Sequence, residues 1–340
     1  MSQRLRIAVL GAGRIGSMHA EHVARRVARA ELVTVVDLKG ELAQSCARSC
    51  GIDDYGESVA DVLSRPDVEA VAICTSSPTH TDIIEQAASA GKHIFCEKPI
   101  DLDLSRIDRA LEAVEKAGIL LQVGFQKRFD PSYRRVRQAI DSGEIGEPHA
   151  AHLSSRDPAP PPIEFLRSSG GLFLDMMIHD FDMVCYLLGH EVASVYAAGS
   201  VRVDPAIGEI NDVDTATVVV QYHNGTLVTI QNSRLCTFGY DQRVEVFGSR
   251  GSVRIGHAYP HTAVVSSKQG IQRDVPFHFF LDRYKDAYIA ELQAFVDAVL
   301  DGSDSALSGM EGRMPVVLGL AAQRSLESGR PVPLTEITAA

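Results

Sequence analysis

Two short segments carry residues able to bind a polar substrate and move its proton. CEKPI at 96–100 sets Lys98 just before Pro99, which holds the chain in a fixed, non-helical path and can be cis. A lysine there either places its ammonium against a substrate hydroxyl or is an ordinary solvated side chain. GGLFLDMMIHDFDM at 170–183 puts Asp175 and His179 four residues apart, on one face of a helix expected over 172–188. By itself the pair reads as an oriented acid–base couple or as a buried histidine satisfied by a local carboxylate. Asp180 and Asp182 point elsewhere. No third metal ligand accompanies the pair, so no metal is expected. GFQKRFDPSY at 124–133 and SSRDPAPPP at 154–162 offer Arg128 and Arg156, either as donors to hydroxyls or as ion-pair partners.

A nucleotide signature opens the chain. The apolar run LRIAVL at 5–10 leads into GAGRIG at 11–16, then a helical stretch, then LVTVVD ending at Asp37. That spacing is a βαβ unit. Gly11 permits the turn out of the strand, Gly13 lets a pyrophosphate approach the backbone, and Gly16 lets the helix lie close on the sheet. The helix N-terminus, at Arg14 and Ile15, offers free N–H groups and a partial positive charge to phosphates. Asp37 suits the two ribose hydroxyls of NAD. A 2′-phosphate beside it would cost on the order of 4 kcal/mol per unit charge at about 4 Å. Lys39 softens that penalty, so NAD is expected to be preferred over NADP.

The first part of the chain alternates strands (5–10, 32–36, 69–74, 92–96, 119–124) with helices (14–29, 40–50, 58–64, 79–90, 103–117). This alternation predicts an α/β Rossmann domain, a doubly wound parallel sheet over 1–124. Ligands of such sheets bind outside the carboxyl ends of the strands. The expected cofactor set is therefore Gly11, Gly13, Arg14, Ile15, Gly16, Asp37, Thr75, Ser76, His80, Glu97 and Lys98. The second part, 125–336, has different grammar. Helices are expected at 132–142 and 172–188, then hairpins turning at His223–Gly225 and at Gly248–Gly251, possible extra strands at 262–267 and 271–275, and helices at 284–301 and 309–328. This predicts an α+β domain with a large, mostly antiparallel open-faced sheet and helices on one side. A sheet-to-sheet contact between copies would cover its other face.

Composition removes other classes of function. With 33 basic residues against 44 acidic, the net charge is −11, and no basic surface gathers beyond RRVAR at 25–29. Nucleic acid is not an expected partner. No apolar run reaches the ~18 residues of a membrane span, and the start is too short in its apolar part for a signal peptide. Six scattered cysteines without a CxxC pair suggest free thiols in the cytoplasm.

GAGRIG, CEKPI and DMMIHDFDM, in this order, make the chain resemble the Gfo/Idh/MocA oxidoreductase family from Arg4 to about Pro333. GFQKRFDP, SSRDPAPPP and YDQRVEVFG extend the similarity. The resemblance implies NAD(H), a homotetramer, and a cyclic polyol substrate, myo-inositol first, oxidised at one ring carbon. It assigns a catalytic trio of Lys98, Asp175 and His179: His179 takes the hydroxyl proton, Lys98 stabilises the developing alkoxide, and Asp175 orients substrate and histidine. Lys127, Arg128, Tyr240 and Tyr284 fall at positions that contact substrate in the family, and Arg156 joins them as a candidate. Related chains often carry arginine in place of Lys127, a fork-shaped donor where this one has a point-like ammonium. Competing readings are a dehydrogenase of scyllo-inositol, glucose or an anhydrosugar such as levoglucosan, an NAD-dependent glycosidase, and a silent NAD sensor.

Overall fold

A computed structural model describes residues 3–338. The chain divides into two compact units: residues up to Phe129 together with Asp286–Val316, and Asp130–Lys285 together with the chain from Val317 onward. This differs from a single cut between 124 and 125. The reason is the helix Lys285–Asp301, which buries Leu292, Phe295 and Val296 in the first unit's core, among Leu5, Ile7, Val9 and Phe95. Each such side chain contributes roughly 1.5–3 kcal/mol on burial.

In the first unit, β1 (Leu5–Leu10), β2 (Ala30–Val36), β3 (Tyr55–Gly56), β4 (Ala70–Ile73), β5 (His93–Glu97) and β6 (Leu121–Gly124) form one sheet in the order 3-2-1-4-5-6. Every pairing is parallel. The strands are apolar along their length because both faces are covered. The order reverses between β1 and β4, the place where such sheets receive ligands. Helix α1 (Arg14–Arg25) is shorter than the expected 14–29, because the chain must turn to enter β2 and the Leu5 N–H bonds the Arg29 carbonyl. Helix α2 (Gly40–Cys50) ends on Gly51 at φ +84°, and α5 (Leu104–Ala117) is capped by Asp103, which accepts from the N–H groups of Ser105 and Arg106. Between them lie α3 (Val59–Leu63) and α4 (His80–Ser89).

The second unit holds β7 (Pro148–Arg156), β8 (Val192–Ser200), β9 (Thr215–Tyr222), β10 (Leu227–Ser233), β11 (Asp241–Gly248), β12 (Gly251–Ile255) and β15 (Val332–Pro333) in the order 12-11-7-10-9-8-15. Only β7 and β10 pair in parallel. The expected hairpins form as β9–β10 and β11–β12. The expected strands near 262–275 form a separate hairpin of β13 (Val264–Ser267) and β14 (Gly270–Arg273). Val218, Val220, Val228, Ile230, Val244 and Val246 bury one face of the large sheet, while Tyr196, Leu227 and Phe247 on alternate positions stay exposed. The Tyr222 hydroxyl bonds the carbonyls of Val184 and Gly189, tying the sheet to the helix Ile178–Leu188. Strands β7 and β8 carry no strong apolar alternation and were not among the expected ones; Ser154–Arg156 end β7.

All six cysteines are free thiols. Among the described residues no helix is long and apolar enough to cross a membrane.

Candidate active site

In the first unit the glycine loop is shaped by close approaches. Gly11 has φ +97°, and a Cβ on it would lie 2.5 Å from the Cys74 carbonyl oxygen. A Cβ on Gly16 would lie 1.8 Å from the Gly11 carbonyl oxygen. A Cβ on Gly13 would meet nothing within 4 Å. The space in front of Gly13 is therefore open, and α1 starts there with no side-chain cap and no acidic residue in its first turn. Its leading N–H groups are those of Arg14, which is exposed, and half-buried Ile15. Asp37 follows the end of β2. One of its oxygens accepts from the Ala12 N–H at 2.8 Å and the other from the Lys39 N–H at 2.9 Å. Each oxygen keeps a lone pair for a ribose hydroxyl. An uncapped helix start, an open glycine and an acid at the second strand end fit a dinucleotide.

Thr75 and Ser76 follow β4, and the Thr75 hydroxyl bonds that of Thr79 at 2.7 Å. His80 is placed otherwise than expected. It is buried, with Nδ1 2.8 Å from the Pro99 carbonyl and Nε2 3.1 Å from the Thr75 carbonyl. Both ring nitrogens are engaged, so His80 ties two loops together instead of presenting its ring to a cofactor. Burial pulls its pKa below the usual histidine value. Lys98 is half-buried and the Lys98–Pro99 bond is cis. Glu97 is half-buried, and its Oε1 lies 2.7 Å from Nε2 of the buried His19. Lys127 and Arg128 are buried in a tight turn over Gln126–Phe129. Arg128 donates to Glu311 at 2.7 Å, which favours the ion-pair alternative for this residue.

In the second unit the segment bearing Asp175 and His179 is not one uninterrupted α-helix. Leu172–Met176 form a π-helical turn, closed by the Met177 N–H on the Leu172 carbonyl, and the α-helix runs from Ile178 to Leu188. The wider turn admits one more residue, a frequent device at functional sites. Gly171, at φ +76°, leads into it and has Asp212 beside it, whose Oδ1 accepts from the Leu172 N–H at 3.0 Å. Asp175 lies inside the wide turn, and its Oδ2 is 3.3 Å from Nη1 of the fully buried Arg234. His179 follows in the first turn of the α-helix, half-buried.

Next to His179, Asp180 is buried and accepts from the Ser155 hydroxyl at 2.7 Å and from Asn232 Nδ2 at 2.8 Å. Gln242 Oε1 lies 3.0 Å from the same hydroxyl. These residues occupy the polar end of the buried sheet face, where they seat the helix. Tyr284 is fully buried, its ring 6.0 Å from that of Tyr240 and its hydroxyl 3.5 Å from that of Tyr133. Arg156 bonds Asp241 at 2.5 Å and also Gln231. It too favours the ion-pair alternative over substrate contact. Arg234 and Asp180 were not singled out by the sequence reading. The available signals were a charged residue at a strand end and a carboxylate in an apolar helix.

Residues 5–125 match the oxidoreductase family with an NAD-binding Rossmann fold, and residues 133–254 match the GFO/IDH/MocA C-terminal domain. The chain belongs to the Gfo/Idh/MocA oxidoreductase family. It is 43% identical to the myo-inositol 2-dehydrogenase of Thermotoga maritima, covering 98% of this chain and 99% of the relative. It is 39% identical to the scyllo-inositol 2-dehydrogenase (NAD(+)) of Bacillus subtilis, covering 98% and 97%. The crystal structure of scyllo-inositol dehydrogenase from Lactobacillus casei with bound NAD(H) and scyllo-inositol superposes with a TM-score of 0.92 at 30% identity, covering 98% of this chain and all of that one. As a member of this family the protein is an NAD-dependent dehydrogenase, in agreement with the glycine loop and Asp37.

Proposed function

We propose that the protein oxidises a cyclic polyol at one ring carbon, with myo-inositol giving 2-keto-myo-inositol (scyllo-inosose). The observation that carries this reading is the presence of Lys98, Asp175 and His179 in a chain that matches a myo-inositol 2-dehydrogenase along 98% of its length. Bound NAD supplies the hydride acceptor. The hydroxyl proton must leave as the hydride does, and His179 takes it. The Lys98 ammonium holds the hydroxyl and stabilises the negative charge that develops on its oxygen. Asp175, an anion with Arg234 as its counter-ion, orients the substrate and the imidazole. Lys127, Tyr240 and Tyr284 complete the substrate contacts. Gly11, Gly13, Gly16, Asp37, Thr75 and Ser76 line the cofactor, with Arg14 and Ile15 offering N–H groups to its phosphates.

NADH absorbance with NAD and a panel of cyclic polyols and sugars tests this. The expected order places myo-inositol first, ahead of scyllo-inositol, glucose and levoglucosan. A higher kcat/KM for scyllo-inositol would move the assignment to that stereoisomer, the one in the Bacillus relative's name, and the ammonium at Lys127 bears on that choice. Cleavage of an aryl glycoside without net NADH would replace the reading with a glycosidase. The same reading carries a homotetramer, its open sheet faces covered by one another, working in the cytoplasm. Sedimentation at the monomer mass would refute the tetramer.

A further inference from the structure

The first unit contains a buried group of acids that the reaction does not use. His19 on α1, Glu97 at the end of β5 and Glu291 on the helix Lys285–Asp301 bring a ring nitrogen and two carboxylate oxygens within 4.8 Å of one another. His19 and Glu291 are fully buried. His19 is wedged between the rings of Phe95 and Tyr288, at 5.1 and 5.8 Å. Gly124, paired with Glu97 across β5 and β6, leaves room for the Glu97 carboxyl, since a Cβ there would approach it to 3.3 Å. From β6, Gln122 anchors the backbone of the helix Lys285–Asp301 by donating to the Glu291 carbonyl at 2.7 Å. Both carboxyl oxygens of Glu291 are buried without a protein hydrogen-bond partner.

A fully buried carboxylate this close to a second, half-buried one cannot stay ionised beside it unless a cation or a proton stands with the pair. Two ligands of one metal ion with bonds near 2.0–2.1 Å sit about 3 Å or more apart. His19 Nε2 and Glu97 Oε1 are 2.7 Å apart, the spacing of a hydrogen bond, which the Nε2–H tautomer of the ring donates to the carboxylate. The other ring nitrogen has no partner, so the histidine needs only one proton. That leaves Glu291 to be neutralised. We propose that Glu291 is a positioning residue, a neutral carboxylic acid packed against ionised Glu97 that fixes Glu97 and, through it, the backbone at Lys98. Burial and then the charge of Glu97 push the Glu291 carboxyl well above its usual range. Other titratable groups facing the cluster are His19 from α1, Tyr288 from the helix Lys285–Asp301, Cys74 following β4, Cys96 on β5 and, beyond them, His80 on α4; burial first and then Glu97 push both thiols up.

The consequence for Lys98 rests on the proposed reaction, whereas the protonation state does not, so the two can fail separately. Infrared spectra of the full protein at neutral pH test the proton. The wild type should show the carbonyl band of a protonated carboxylic acid, and Glu291→Gln should lose it. Glu291→Gln keeps a neutral group of the same shape and should hold kcat within about twofold, whereas Glu291→Leu should lower kcat about tenfold with KM for NAD nearly unchanged. Absence of the band, or stoichiometric metal in the purified protein, overturns the proposal. So does a Glu291→Gln variant as impaired as Glu291→Leu. If Glu291→Leu does not fold, the infrared comparison still decides.

Discussion

Two groups of acids, one in each unit, are held in opposite ways. In the second unit three carboxylates are given donors: half-buried Asp175 has the guanidinium of Arg234, buried Asp180 has Ser155 and Asn232, and buried Asp241 has Arg156, Arg243 and His257. In the first unit Glu97 faces the ring nitrogen of His19, while both carboxyl oxygens of Glu291 beside it have no protein hydrogen-bond partner. The first arrangement keeps a fixed negative charge where a substrate must be oriented. The second keeps a carboxyl neutral and so rigidifies a strand end without adding charge near a dinucleotide that is itself negative. Burial alone does not say which outcome follows; the count of donors within reach does.

The largest effects should come from groups that touch the reacting atoms. Lys98→Met and His179→Ala are expected to lower kcat by about 10²–10⁴-fold while NADH binding, followed by its fluorescence, is retained. Near-normal turnover in either would remove that residue from the trio. Next comes the counter-ion in the second unit. Arg234→Met removes the guanidinium beside Asp175 and should destabilise the fold by about 3 kcal/mol in urea unfolding. It should also lower kcat more than Arg234→Lys, which keeps a positive charge. Equal losses in the two variants would mean that Arg234 acts by packing.

The smallest effects lie in the pH dependence of stability, where the two units should part company. Burial pushes the Asp241 carboxyl up, but Arg243, His257 and Arg156 outweigh it and hold it below the ordinary value. Its contribution is present above the unfolded carboxyl value, near ~3.9, and is lost as pH falls through the folded one. Glu291 is raised, so its contribution is present below the unfolded value, near ~4.3, and is lost as pH rises towards the folded one. In thermal melts across pH, Asp241→Asn should flatten the acid side and Glu291→Gln the neutral-to-alkaline side. The reverse pattern would break the comparison between the units.

Much of the fold was legible because its signals are local. The strands and helices of the first unit follow from apolar runs punctuated by glycines and caps, and β9–β12 follow from period-two alternation around Asn224–Gly225 and Gly248–Gly251. Strand β7 was not, because its inward positions Ser155 and Leu153 alternate with polar and small neighbours, and its stability comes from partners on both sides. The wide turn at Leu172–Met176 was hidden as well, since a helical pattern in sequence looks the same with or without one extra residue per turn.

For the site, residue types and spacing alone pointed to the NAD loop and the acid at Asp37, and singled out Lys98, Asp175 and His179 as candidates whose roles only the family resemblance assigned. These are short motifs whose chemistry sits in one stretch of chain. What surrounds them was decided by tertiary structure: Arg234 on Asp175, Ser155 and Asn232 on Asp180, both carbonyls on His80, Asp241 on Arg156, and Glu291 opposite Glu97 from almost two hundred residues away. A hydrogen bond or an ion pair needs atoms about 3 Å apart, and sequence separation carries no record of that distance.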